Sequence, residues 1–342
     1  MSALSDQRVA LIGGAGFIGH NLALELKRQG AEVAAIDGLE VNHLVHYAAS
    51  SDPNRDLYIK ILLERLKLLS DADIPLIRQD ARDYNGLSNA LNEFAPTAIV
   101  HLAAVAHANR SNKDPFSTFD HSMRTLENAL DWSRGSNLER FVFFSSSMVY
   151  GNFETEEITE DHPLNPIGIY GALKLGGEKL VIAYNQVFDL PFTILRPSAL
   201  YGPRCVSRRV SQAFIESALV GNTLRVDGAG EERVDFTYID DVVNGVIASL
   251  TQDGARNEIF NMTAGKARSL KDLVTLVQDH FPEIEVEYVE RDNLRPFRGT
   301  LLMDKAAELM DHRPATELED GLARYVEWYR EITSTPAESV LP

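Results

Sequence analysis

Tyr170 and Lys174, in "NPIGIYGALKLGGEKL", stand four residues apart and are the pair in this chain best spaced to move a proton. On a helix that interval places both on one face. A phenol with a pKa near ~10 is a poor base at neutral pH, but a neighbouring ammonium stabilises the phenolate and brings it into a useful range. A hydroxyl from a nearby strand end could complete such a site by orienting a substrate alcohol or carbonyl. The segment "RFVFFSSSMVYG" offers three, Ser145, Ser146 and Ser147, at the end of an apolar run. Tyr-x-x-x-Lys alone recurs by chance on exposed helices; its weight here comes from the serines and from a glycine loop in the same chain.

That loop is "VALIGGAGFIGHNLALEL", a strand, a glycine turn and a helix in succession. Gly14, Gly16 and Gly19 satisfy the dinucleotide fingerprint and Gly13 extends it, so that Gly13, Gly16, Phe17, Ile18 and Gly19 are expected to meet the cofactor. Glycines permit the tight turn and let the backbone approach a pyrophosphate seated on the helix N-terminus. A plain strand-to-helix turn can look similar. Here Asp37 ends the following strand, 18 residues beyond Gly19 (37 − 19), where a carboxylate can hold both hydroxyls of an adenosine ribose. No arginine or lysine follows Asp37 closely, so a 2′-phosphate would be repelled. NAD rather than NADP is the expected cofactor.

These groups need a scaffold. "RVALIG", "EVAAID", "PLIRQD", "TAIVHLAA", "RFVFFSSS" and "FTILRP" read as buried strands, with amphipathic stretches such as "GHNLALELKRQG" and "DHSMRTLENALDWSRG" between them. That alternation predicts an α/β fold, a doubly wound parallel sheet covered by helices on both faces. The domain boundary is expected near 195: a dinucleotide-binding domain over 1–195, with segments around 235–262 returning to it, and a smaller α/β substrate domain over 196–342. Residues 41–74 are too long for a simple crossover and hold a helix of their own, "RDLYIKILLERLKLL", with Leu57, Ile61, Leu62 and Leu68 on one side. An extra helix on the domain edge, a lid and a subunit contact all fit that pattern.

Composition narrows the class. Against 33 basic residues stand 50 acidic ones, a net charge of −17, which disfavours nucleic acid or an anionic membrane surface as partner. An anionic substrate would need local arginines to overcome that field. The lone Cys205 excludes an internal disulfide, and no apolar run approaches a membrane span. No secretory signal is visible, so a cytoplasmic location is expected. Nine scattered histidines lack ligand spacing, so no metal is expected. His101 and His107, around "LAAVA", read as packing and loop-positioning residues.

Six segments in order, "GGAGFIG", "HLAA", "FSSSMVYG", "YGALK", "RPSALYGPR" and "DFTYIDDV", resemble the extended short-chain dehydrogenases/reductases, and within them the nucleotide-sugar epimerases and dehydratases. The resemblance runs from about residue 8 to 331. It implies a Rossmann-type fold and a catalytic set of Ser146, Tyr170 and Lys174, the serine chosen by counting back three from Val149 as the family pattern requires. Lys174 is implied to bind the nicotinamide ribose and lower the tyrosine's pKa. Asp80 is implied to approach the adenine, with Ala81, Leu102, Ala103 and Ala104 as further cofactor contacts. Related 4,6-dehydratases carry an Asp-Glu pair between the catalytic hydroxyl and Val-Tyr-Gly, and related decarboxylases a glutamate just before it. Here those places hold Ser147 and Met148, and neither can transfer a proton at carbon 5.

The resemblance therefore implies an NAD-dependent epimerase inverting carbon 4 of a nucleotide sugar, a UDP-hexose or UDP-hexuronate, through a transient 4-keto sugar, in a homodimer. A dehydratase or ketoreductase using another acid, and a non-catalytic NAD-binding sensor, are the rival readings. The chain departs from the family pattern at Ala199, which takes an asparagine's place, at Val234, which displaces an arginine to Arg233, and at His121, which reads as structural. The expected substrate contacts are Ser147, Arg196, Ser198, Ala199, Arg204, Arg209, Arg233 and Arg298. Arg204, Arg208 and Arg209 suit a diphosphate or carboxylate clamp, or else form a solvated charge run.

Overall fold

The computed structural model describes residues 4–41, 44–105, 108–291 and 296–334; His107 lies outside them. Seven strands form one parallel sheet: β1 (Arg8–Ile12), β2 (Glu32–Asp37), β3 (Leu76–Arg78), β4 (Ala98–His101), β5 (Arg140–Phe144), β6 (Phe192–Pro197) and β7 (Glu258–Met262). Their order is β7-β6-β5-β4-β1-β2-β3. Inner strands read as unbroken apolar runs because helices cover both faces; β5 and β6 are buried throughout. Side chains divide by parity between the two cores, with Leu11, Val142 and Phe144 on one face and Ala10, Ile12, Phe141 and Phe143 on the other. Strand order reverses between β1 and β4, and in open α/β sheets ligands bind in the crevice at the carboxyl ends there.

The helix inside 41–74 spans Arg55–Asp71 and buries Tyr58, Ile61, Leu62, Arg65 and Leu69. Leu57 and Leu68, expected on its apolar face, are only partly covered. The helix packs against the glycine-loop helix Phe17–Arg28 and the short helix Leu44–Ala48, and its Tyr58 and Lys60 reach residues of the C-terminal part. The buried Glu216 carboxylate accepts hydrogen bonds from the hydroxyls of Tyr58 at 2.7 Å and Tyr329 at 2.8 Å. Lys60 donates to the Ile332 carbonyl. Among the described residues no helix is long and apolar enough to cross a membrane.

Candidate active site

A cavity of about 550 Å³ opens at the switch point. Gly13, Gly16, Phe17, Ile18, Gly19, Asp37, Asp80, Ala81, Leu102, Ala103 and Ala104, the cofactor contacts expected apart from the tyrosine and lysine, all line it. The glycine cradle has no room for side chains. A Cβ on Gly13, whose φ is +88°, would lie 2.8 Å from the Ala103 nitrogen, and one on Gly19 would lie 2.6 Å from the Gly13 carbonyl oxygen. Helix Phe17–Arg28 begins at an extended Gly16 without a side-chain cap, leaving its first N–H groups to an anion. Asp37 is fixed by accepting from the Ala15 N–H at 3.0 Å and the Leu39 N–H at 2.8 Å. Burial pushes its carboxyl above the usual range, and these donors and Arg65 pull it back. This donor and acceptor set fits a dinucleotide. Asp80 turns its carboxylate onto Arg82, at 2.6 Å.

At the carboxyl end of β5, Ser146 is extended (φ −165°) and caps a single tight turn, Ser147–Val149, its Oγ accepting from the Met148 N–H at 3.2 Å. Helix Gly168–Phe188 carries Tyr170 and Lys174 on one face, and Gly171 lets it close on the Met148 carbonyl, 2.7 Å from where a Cβ would stand. The Tyr170 phenol is pushed above its ordinary pKa by burial, and pulled back by the Arg209 guanidinium and a hydrogen bond with Ser146. Lys174 is 6% exposed, donates to the Phe144 carbonyl at 2.5 Å, and is pushed down to about 8 by burial, with Glu178 opposing. His101 packs between Phe141 and Phe143, at 6.3 and 6.1 Å, as the sequence reading expected of it.

The arginines separate. Arg196 is 2% exposed, because β6 directs it beneath the sheet's carboxyl end. Its Nε and Nη2 donate to both oxygens of Glu178, at 2.9 and 2.8 Å, and Nη1 to the Tyr150 hydroxyl and the Glu160 carbonyl. With every nitrogen engaged, it braces the site, and the expectation that it contacts substrate is corrected. Arg204 donates to His20 Nε2 at 2.9 Å and Asn21 Oδ1 at 3.0 Å, and pairs with Glu64 at 3.4 Å, so it ties its loop to two helices. Arg208 is exposed and pairs with Asp52. Arg233 is exposed and donates to the Ala267 carbonyl. Arg298 is half-buried before the strand Thr300–Leu301.

Arg209 differs. It lines the cavity and its Nε is buried with no hydrogen-bond partner. Ser198 is 3% exposed with an equally unpartnered hydroxyl. Ala199 has φ +37°, near the left-handed region that asparagine enters readily and alanine does not, which explains the residue normally found there. Sequence reasoning missed Arg65, Leu62 and Leu66 of the inserted helix, Arg78, and His121, all of which line the cavity. His121, which the sequence suggests is structural, sits on a one-turn π-helix, Asp120–Arg124, a feature frequent at functional sites and without a periodic signal.

A parallel sheet of this order, a glycine cradle at its switch point and a serine, tyrosine and lysine beside it define a dinucleotide-dependent enzyme of the short-chain dehydrogenase type. The chain belongs to the NAD dependent epimerase/dehydratase family, whose model matches residues 9–263, and NAD is its cofactor. It is 29% identical over 325 residues, 93% of this chain and 96% of the relative, to an uncharacterized UDP-glucose epimerase of Bacillus subtilis. It is also 29% identical to UDP-glucuronate 4-epimerase 1 of Arabidopsis thaliana, across 94% of this chain and 76% of that one. Among solved structures, the UDP-glucuronic acid 4-epimerase of Bacillus cereus, in complex with UDP-glucuronic acid and NAD, superposes with a TM-score of 0.83 at 25% identity, over 95% of this chain and 99% of that chain.

Proposed function

We propose that the protein is an NAD-dependent 4-epimerase of a UDP-hexose or UDP-hexuronate. The observation that carries this reading is the end of β5, where Ser146 begins a turn packed on the helix that carries Tyr170 and the two following places hold Ser147 and Met148. No carboxyl stands there to protonate or deprotonate carbon 5, so elimination and decarboxylation lack their acid. Inversion at carbon 4 needs only a group to take and return the proton of the 4-hydroxyl. Tyr170 Oη does this, Ser146 Oγ holds the same sugar oxygen in line, and Lys174 fixes the ribose beside them. Bound NAD supplies the hydride acceptor and, in the return step, the donor. The residues after 196 carry the sugar, with Ser147, Ser198 and Arg209 as the proposed contacts.

Arg209 acts on Tyr170, and the carboxylate of a hexuronate is borne on the carbon next to carbon 4. That proximity supports a carboxylate clamp. The short helix Pro115–Phe119 packs on Gly168–Phe188 and leaves Phe116 and Phe119 exposed, 86% and 49%, which supports a homodimer across this face. To test the function, pure protein is incubated with UDP-glucose and with UDP-glucuronate, without added cofactor, and the products are separated. A 4-epimer of at least one sugar is expected. A dehydrated product, or no product from NAD-containing protein, overturns the reading.

A further inference from the structure

Arg65 is the fifth of five consecutive charged or apolar residues in "ILLER", and nothing in its local sequence marks it as a ligand. The fold nevertheless carries it from the inserted helix to the wall of the cofactor cavity, where it is 3% exposed. Its Nε and Nη2 both donate to the Arg204 carbonyl, the former at 3.0 Å, which fixes the plane of the guanidinium. Nη1 has no hydrogen-bond partner among the described residues. No carboxylate there lies within ion-pair distance of Arg65, although Asp37 lines the same cavity.

Asp37 acts on it from beyond ion-pair distance, and among the described residues no group packed around it supplies a paired anion. His20 is fully buried, and because its Nε2 accepts from Arg204, its Nδ1 carries the proton and donates to the Gly16 carbonyl at 2.8 Å. That histidine is neutral, its pKa driven well down by burial and by Arg65 and Arg204. A cation withdrawn from water without an anion is costly and is stabilised by a ligand that brings one. The anion that this cavity receives is the dinucleotide pyrophosphate, at the uncapped helix Phe17–Arg28 against which the inserted helix packs.

We propose that Arg65 is a phosphate-binding residue of the cofactor site, supplied by the insertion, which thereby becomes part of the machinery that retains NAD. The inference rests on NAD as cofactor and is independent of which sugar is turned over. It also gives the 41–74 insertion a role: two bonds to the Arg204 carbonyl preset the guanidinium, and the helix seals the adenosine side with Leu62 and Leu66.

Its test uses the holoenzyme and reads binding alone. Displacement of bound NAD by ADP and by adenosine is titrated in wild type, Arg65→Met, Arg65→Gln and Arg65→Lys. The glutamine keeps a donor at the place of Nε for the Arg204 carbonyl and loses the charge with the two terminal nitrogens. In wild type ADP is expected to compete at least tenfold better than adenosine. Arg65→Met and Arg65→Gln should shrink that ratio several-fold and speed NAD release tenfold or more, while Arg65→Lys keeps most of the ratio. An unchanged ADP-to-adenosine ratio in the glutamine variant would make Arg65 structural and overturn the proposal. Should the uncharged variants not fold, a crystal structure of the wild-type NAD complex decides. A phosphate oxygen within hydrogen-bond reach of Nη1 upholds the assignment, and a guanidinium turned away from both phosphates refutes it.

Discussion

Glu178 stands one helical turn beyond Lys174 and gives both carboxylate oxygens to Arg196, in a bidentate pair whose side chains are 1% and 2% exposed. Oε1 also accepts from the Ser145 hydroxyl. One buried carboxylate thus joins β5, β6 and the helix that carries Tyr170 and Lys174, and it is the group that supports the charge on Lys174.

Breaking that pair leaves a buried guanidinium without its anion, a loss of ~3–5 kcal/mol for removal of one partner. Glu178→Gln is therefore expected to lower the urea midpoint sharply with little change in slope. Replacing both partners, Glu178→Leu with Arg196→Met, should cost less than the single change, because no charge is stranded. Equal losses for the single and double variants would show that the pair is not what holds these elements together.

Tyr170→Phe removes only the proton-transferring oxygen. Turnover should fall by roughly 10²–10⁴, the range for one general acid-base group, with co-purified NAD and thermal stability nearly unchanged. Ser146→Ala should cost less, since the phenol remains. If Ser147→Ala is the more damaging of the two serine variants, the register at the end of β5 is misassigned.

How much of this was legible in the sequence depends on how far apart the partners lie along the chain. The strands announced themselves because burial on both faces demands uninterrupted apolar runs, and the glycine cradle because steric exclusion selects the residue type. Asp37 was legible from its distance to Gly19. Arg65 was not, since it reaches the cavity 28 residues after Asp37 (65 − 37) through a helix whose docking is a tertiary event. The sequence view that no cation accompanies Asp37 held only locally, as Arg78 is its in-register neighbour on β3. Arg196 misled for the opposite reason: its motif suggested a ligand contact, while the inward side of β6 and Glu178, 18 residues earlier (196 − 178), consumed every donor.

His101 makes stability pH-dependent. Burial, and then Lys174, push its pKa down to about 3, against ~6.5 in the unfolded chain. A depressed folded value means the stability from keeping the ring neutral is full above pH ~6.5 and is lost as pH falls toward 3, at up to ~1.4 kcal/mol per unit. Unfolding free energies of wild type and His101→Leu, compared at pH 7.5 and 5, should therefore shift in favour of the variant by ~2 kcal/mol at the lower pH. A pH-independent difference would mean the ring titrates in the folded state as it does in the unfolded chain.

Arg209→Ala should weaken substrate binding with little effect on NAD content. A charge-assisted pair is worth ~1.5–3 kcal/mol, so the Michaelis constant should rise roughly tenfold or more. A penalty confined to UDP-glucuronate identifies a carboxylate clamp, whereas equal penalties for UDP-glucose and UDP-glucuronate assign the guanidinium to the diphosphate. No effect on either removes Arg209 from the sugar site.

Inversion by withdrawal and return of the same hydride is the core of the account, and the fate of the hydrogen on carbon 4 tests it most directly. UDP-sugar deuterated at carbon 4 is incubated with the protein in ordinary water, without added NAD, and the 4-epimer is isolated for NMR and mass analysis. The product is expected to keep its deuterium on carbon 4, with no solvent hydrogen on carbon 5. Washout of the label to solvent, or a product lighter by the mass of water, would contradict it.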